Sequence, residues 1–342
     1  MALRILEFLL GLLLAWGTLR DVFYTVVVPG GTRGSLRISK RLVQAALPVW
    51  KHIRGRGIGV NFAPVVLVGS FVTWMLLLVL GFALMAHALS NHFDPPLQGF
   101  GHALYVAGAS MGTIGFGQVE PHGLARAVTV GGGFCGLAVM TLAVTYLLEV
   151  QSNVAHRDTG VLKITTTAGH PPCALTILER YAALGCRDEL LDVMREGRTW
   201  CATVLQSHAS HPWLVYFRSA GTRSGWPAAL GALVDLTLAA ELLIDDPPLR
   251  GPAVLAREEA DRLSHDLAEL VSASAVPVDT SIEDADRFFT RLAAAGYTLR
   301  ADRDCAAFAA ARNEHMASIH ALSHHLGMPN APLVPGGPTP LS

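Results

Sequence analysis

Charge is what this sequence has least of. Asp, Glu, Lys and Arg make up 15% of its 342 residues, against about 25% in ordinary soluble domains. The shortage is uneven: residues 1–150 hold ten Lys/Arg and five Asp/Glu, whereas residues 151–342 hold sixteen and twenty-two. A charge-poor half precedes an ordinary acidic one, which disfavours a single soluble globule. A net charge of −1 leaves no basic excess for nucleic acid. Cysteine is also sparse, and Cys135, Cys173, Cys186, Cys201 and Cys305 form no C-x-x-C pair, so neither a disulfide framework nor a zinc knuckle is indicated. There is no G-x-G-x-x-G after a strand, no P-loop, no nucleophile elbow and no kinase signature. The chain reads as a non-enzyme with no organic cofactor.

What it does have is long apolar runs. Phe62–Leu89 and Ala127–Leu148 carry no charged residue, and about 20 apolar residues suffice to cross a hydrocarbon core of roughly 30 Å. A third run is interrupted: Phe8–Leu19 is apolar, Arg20-Asp21 intervenes, and Val22–Val28 resumes. Residues 1–28 are therefore expected to hold an N-terminal membrane helix, its Arg20 reaching the interface and its Asp21 pairing with a neighbouring helix. Residues 29–60 contain seven basic residues and no acidic one, while residues 58–125 contain no Lys or Arg. The positive-inside rule then places the first loop in the cytoplasm, the N-terminus outside and the C-terminal half in the cytoplasm of a multi-pass plasma-membrane protein. Leu36, Leu42, Val43, Leu47 and Trp50 recur near helical spacing. Residues 33–56 are read either as an interfacial helix on anionic lipid or as a plain cytoplasmic linker.

Between the two uninterrupted helices lies a semi-polar stretch about three helical turns long, too short to span, followed by Thr113-Ile114-Gly115-Phe116-Gly117. Alternate glycines permit backbone angles that turn successive carbonyls to one axis. Such backbone at membrane depth must be buried in protein or line a watery path, and a row of carbonyl oxygens suits a dehydrated monovalent cation.

With Phe100, Ala103-Leu104-Tyr105, the 113–117 stretch, Pro121 and Arg126 in register, residues 61–150 resemble a potassium-channel pore domain. The resemblance implies an all-α membrane fold: an outer helix, a re-entrant pore helix, a filter and an inner helix. It implies that Thr113, Ile114, Gly115 and Phe116 line the path of permeant K⁺ ions with their carbonyls, and that Gly117 completes the filter's outer end. One pore loop per chain implies a homotetramer. Gly136 falls where such channels carry an inner-helix hinge. Gly132, within Gly131–Gly133, is either a second hinge or a close-packing residue. Thr141 and Thr145 would line the cavity, or instead bond their own backbone. The chain departs from the family at Gln118, Gly112, Phe116 and His102, which bears on selectivity. His102 and His122, with His92, flank the pore mouth as candidate pH-sensing groups whose protonation would repel cations. A nonselective Na⁺/K⁺ channel is the alternative within the class, and a membrane-anchored signalling protein with a vestigial pore the alternative outside it.

Residues 151–325 read as a helical cytoplasmic domain for an unidentified ligand or partner. Its predicted helices cover 174–184, 187–207, 227–244, 253–274, 282–296 and 302–325. His315, His320, His324 and His325 cluster on the last of them as a solvated histidine-rich face, with a shared metal at His320 and His324 the less favoured reading. Residues 326–342, rich in Pro and Gly, are expected to be disordered.

Overall fold

The computed structural model of the chain describes residues 1–28, 38–53, 62–115, 119–219, 225–274 and 276–336. Apart from two strands of two residues each, their regular structure is helical, and the chain is an all-α membrane protein. It divides into two compact units, Met1–Gln151 and Ser152–Ser342.

The first unit begins with α1 (Ala2–Val22), prolonged by a π-helical turn to Val27, then α2 (Ile38–Ile53) and α3 (Phe62–Ala88). β1 (Phe93–Asp94) precedes the short helix α4 (Phe100–Met111) and pairs antiparallel with β2 (Glu120–Pro121) beyond it. The 45-residue α5 (Leu124–Ala168) follows. At about 1.5 Å per residue, only part of α5 is needed to cross a bilayer.

Helices α1 and α3 cross where both are small. A Cβ on Gly11 would stand 2.5 Å from the Gly81 carbonyl oxygen, and one on Gly81 would stand 2.9 Å from that of Gly11. Buried Ala15 completes a small-x-x-x-small face. In lipid no hydrophobic force distinguishes helix from solvent, so close backbone approach supplies the association. Two polar contacts tie the same pair. Glu7 Oε1 lies 2.6 Å from His87 Nδ1. Asp21, fully buried, accepts hydrogen bonds from the Trp74 indole at 3.0 Å and the Ile38 backbone amide at 3.2 Å. Asp21 thus pairs with a neighbouring helix through a neutral donor, while Arg20 stacks over the Tyr24 ring at 5.6 Å. The apolar side of α2 also turns inward in part: Ile38 is buried, and Trp50, 2% exposed, stacks on Phe62 with ring centroids 5.1 Å apart. Trp50 packs on protein and is not left for lipid. Arg33, Leu36, Arg37, Arg54 and Arg56 lie outside the described residues.

The second unit joins the end of α5 to α6 (Ala174–Leu184), α7 (Leu190–Ser210), α8 (Gly225–Leu238, continued by a π-helical turn to Leu243), α9 (Pro247–Leu270), α10 (Ile282–Ala294) and α11 (Cys305–Leu326). Helix α8 is apolar enough to span a membrane, yet 89% of its apolar window is buried within the fold, against 17–28% for α1, α3 and α5. A helix apolar all round and buried all round is a core helix. Glycines admit close packing in this unit: a Cβ on Gly197 of α7 would meet Leu233 of α8 at 2.6 Å, and one on Gly160 of α5 would meet the Trp200 ring of α7 at 2.1 Å. The Trp200 indole donates to the Arg157 carbonyl at 3.0 Å.

Inside this core, Arg312 donates to both carboxylate oxygens of Asp235, at 2.7 and 3.1 Å, and to Thr280 Oγ1 at 3.0 Å. It also reaches the Ala331 carbonyl at 3.3 Å. Two sequence expectations are corrected here. Residues 328–336 are not a disordered tail: Ala331, Leu333 and Val334 are buried, and Cys173 Sγ donates to the Leu333 carbonyl at 3.3 Å. Residues 337–342 lie outside the described residues. Nor is α11 a wholly solvated histidine face, although His324 is exposed. His325 is buried, His315 Nδ1 lies 2.9 Å from Asp261, and burial with Arg312 nearby lowers the pKa of His320 to about 4. Among the described residues no three His, Cys, Asp or Glu side chains are grouped to hold a metal.

His208 on α7 is buried more deeply, and burial, reinforced by the Arg157 charge, lowers its pKa to about 3. Both histidines are held neutral in the folded state but take up protons below about 6.5 when unfolded. Their contribution to stability is therefore complete above pH 6.5. It declines as pH falls towards 3–4, by up to about 1.4 kcal/mol per pH unit for each group. Thermal melts of the full chain between pH 7.5 and 4.5 should show the C-terminal unit weakening, with a shallower decline in His208→Gln. Equal slopes in the two proteins would contradict this assignment.

Candidate functional site

Helix α4 and the chain leaving it form the site. The last turn of an α-helix has carbonyls without intrahelical partners, and here the following residues supply them. Gly112 N–H donates to the Gly108 carbonyl at 2.8 Å, and Thr113 N–H to that of Ser110 at 3.1 Å. Ile114 and Gly115 N–H both donate to the Ala109 carbonyl, at 2.9 and 3.4 Å. Four successive amides thus point back at the helix. In a trans peptide the N–H and C=O are antiparallel, so the carbonyls of Gly112, Thr113 and Ile114 turn the other way.

The backbone angles agree. Thr113 has φ +57° and Gly115 φ +81°, with Ile114 between them at negative φ. For Gly115 this conformation is ordinary. For Thr113 it is a strained one, since a β-branched residue rarely enters the left-handed region and does so mainly where function fixes the backbone. Alternation of handedness keeps consecutive carbonyls on one side. Ile114 is 81% exposed in the single chain, and residues 112–115 are exposed throughout. Phe116, Gly117 and Gln118 lie outside the described residues.

The inner helix α5 supports the end of α4 through its glycines. A Cβ on Gly136 would lie 2.4 Å from the Met111 carbonyl oxygen, and one on Gly133 would lie 3.4 Å from that of Ser110. A Cβ on Gly132 would meet the Phe82 ring at 3.2 Å. The two candidate hinge residues, Gly136 and Gly132, are therefore contact glycines, each admitting a neighbour to the helix backbone. Ser110 Oγ donates to the Thr129 carbonyl at 2.6 Å. Further along, Thr141 and Thr145 are exposed, and their hydroxyls donate to the Leu137 and Thr141 carbonyls at 2.9 and 3.0 Å.

At the rim, Arg126 Nε donates to the Pro121 carbonyl at 2.9 Å, closing the turn into α5. His102 Nδ1 accepts from the Gln98 amide at 3.3 Å, and His122 is exposed beside the β1–β2 pair, its amide bonded to the His92 carbonyl at 2.8 Å. Sequence reasoning missed Ser110, Met111 and the Glu7–His87 contact. Only Gly133 and Gly136, spaced for one face of α5, hint at the first two.

The C-terminal unit carries a separate open groove of about 930 Å³ between the end of α5, α6 and α7. Thr159, Leu162, Tyr181 and Trp200 line it, and the Lys163–Glu196 pair crosses it at 2.9 Å.

Residues 71–153 match the family model described as an ion channel. The match runs from within α3, through α4 and the 112–115 turn, into α5, and makes this segment similar to an ion channel. Comparison with curated proteins and with solved structures found no match.

Proposed function

We propose that the chain assembles as a homotetramer in the plasma membrane and conducts K⁺ passively through a filter made from residues 113–117. The observation that carries this reading is the direction of the 112–115 peptides. Their amides are consumed by α4, which leaves carbonyl oxygens as the groups available to a cation on the other side. The partial negative charge at the C-terminal end of α4 favours a cation there as well.

Four chains are required because one such turn cannot surround an ion. An unpartnered stripe on α5 supports assembly. Val130, Phe134, Leu137, Thr141, Val144 and Leu148 are all exposed, and their 4-3-4-3-4 spacing is that of a helix facing partner helices. In this reading K⁺ sheds water at the outer mouth, passes the carbonyl sites in single file and enters a cavity bordered by Thr141 and Thr145. The inner helix gates the path near Gly136. His102 and His122 would stand at the outer mouth, where positive charge repels an entering cation, and anionic lipid would hold the basic residues of 33–56. The C-terminal unit, on the cytoplasmic side, would regulate gating by binding a ligand or partner in the α5–α6–α7 groove, whose volume suits a small molecule.

The test is reconstitution of the purified full chain into K⁺-loaded liposomes, with the oligomer's mass measured in parallel. A tetrameric mass together with K⁺ efflux is expected. A stable monomer or dimer, or a tetramer that passes no ion, would leave the signalling-protein reading in its place.

A further inference from the structure

The first turn of the filter is attached to the inner helix through one side chain. Gly112 offers no side chain to brace the turn, and Thr113 is held in a strained conformation. Strain of that kind persists only where surrounding contacts over-determine it. Two bonds flank Thr113: its own amide donates to the carbonyl of Ser110, and the Ile114 amide donates to that of Ala109. The hydroxyl of Ser110 donates at 2.6 Å to the Thr129 carbonyl on α5. A helical carbonyl has a second lone pair beyond the one its own helix uses, so this bond is added without breaking α5. Gly133 lies beside this bond: a Cβ there would make ordinary van der Waals contact with the Ser110 O and Oγ, at 3.4 and 3.5 Å. Thr129 is fixed in turn, its own hydroxyl donating to the Ala125 carbonyl at 3.0 Å.

We propose that Ser110 is a positioning residue for ion selection: its carbonyl holds Thr113 and its hydroxyl locks that carbonyl to the inner helix. The proposal rests on the channel reading above, but its structural half does not. Ser110 touches no ion. It acts by keeping the carbonyl row at a fixed distance from α5, so that movement of the inner helix is transmitted to the filter through the Ser110–Thr129 bond.

The test compares wild type, Ser110→Ala and Ser110→Thr in two measurements on the full chain in lipid. In bilayer recordings, Ser110→Ala should lower the K⁺/Na⁺ permeability ratio about three- to tenfold, the factor that one internal hydrogen bond typically contributes. Ser110→Thr, which keeps the hydroxyl, should remain within about twofold of wild type. In hydrogen exchange, the amides of residues 112–115 should exchange faster in the alanine variant and not in the threonine variant. Unchanged exchange in Ser110→Ala overturns the proposal whether or not the protein conducts. An unchanged permeability ratio, or a threonine variant no better than alanine, also overturns it. A wild-type protein that passes no current while the exchange difference is observed refutes the channel reading, leaves Ser110 as the structural tether, and overturns its role in ion selection.

Discussion

Gly136→Ala is expected to abolish most of the selective current. The added Cβ would stand 2.4 Å from the Met111 carbonyl oxygen and 2.9 Å from its Cα. The obstacle is backbone on both sides, so no flexible side chain can move aside. Helix α4 or α5 must shift, and overpacking of a well-packed contact costs about 1–3 kcal/mol or more. That corresponds to a roughly 5- to 150-fold fall in the competent population. Met111 is two residues before Thr113, so the displacement arrives at the filter. The prediction separates two roles for Gly136. If it serves only as a hinge, alanine alters open probability and leaves the K⁺/Na⁺ ratio alone. If it seats the pore helix, both current and ratio fall. Gly69→Ala on α3, where a Cβ would have nothing within 4 Å, is the control and should be silent.

The second large effect concerns the C-terminal unit. Asp235→Ala leaves the Arg312 guanidinium buried with Thr280 and the Ala331 carbonyl but no counter-charge. Removing one partner of a buried ion pair typically destabilises by about 3–5 kcal/mol. For a unit of this size, roughly 2–4 °C per kcal/mol translates that into a Tm lowered by about 6–20 °C. Replacing both groups by apolar ones, as Asp235→Leu with Arg312→Met, should recover most of the loss, because no uncompensated charge remains. Calorimetry of the full chain in detergent reads both. A single variant that melts with wild type would mean that water reaches Arg312, contrary to its 5% exposure.

Local patterns in the sequence were sufficient for most helices. The 174–184 helix is observed with the same limits and four further C-terminal helices lie within three residues of their predicted spans, whereas the helix expected at 253–274 runs from Pro247 to Leu270. The re-entrant segment was legible because alternating glycines between two charge-free runs suit a backbone that enters the membrane without crossing it. What the sequence could not reveal depends on which elements become neighbours. The Pro/Gly-rich end looked disordered, yet Ala331 packs where Gly231 leaves room on α8, and the Leu333 carbonyl accepts from Cys173 Sγ before α6. The histidines of α11 looked solvated because their spacing says nothing about α8 and α9 lying against them. Asp21 showed that an intramembrane carboxylate needs a partner, without indicating that a tryptophan 53 residues away would supply it. Ser110 reads as one more small residue in Ala107-Gly108-Ala109-Ser110, and only its distance to Thr129 distinguishes it.

On the proposed reading, the carbonyls turned away from α4 select K⁺. The most direct measurement is the reversal potential of the reconstituted full chain in a planar bilayer, with high K⁺ and low Na⁺ on one side and low K⁺ and high Na⁺ on the other. A carbonyl filter predicts reversal close to the K⁺ equilibrium potential. Reversal at zero would contradict that selectivity and identify a nonselective cation channel.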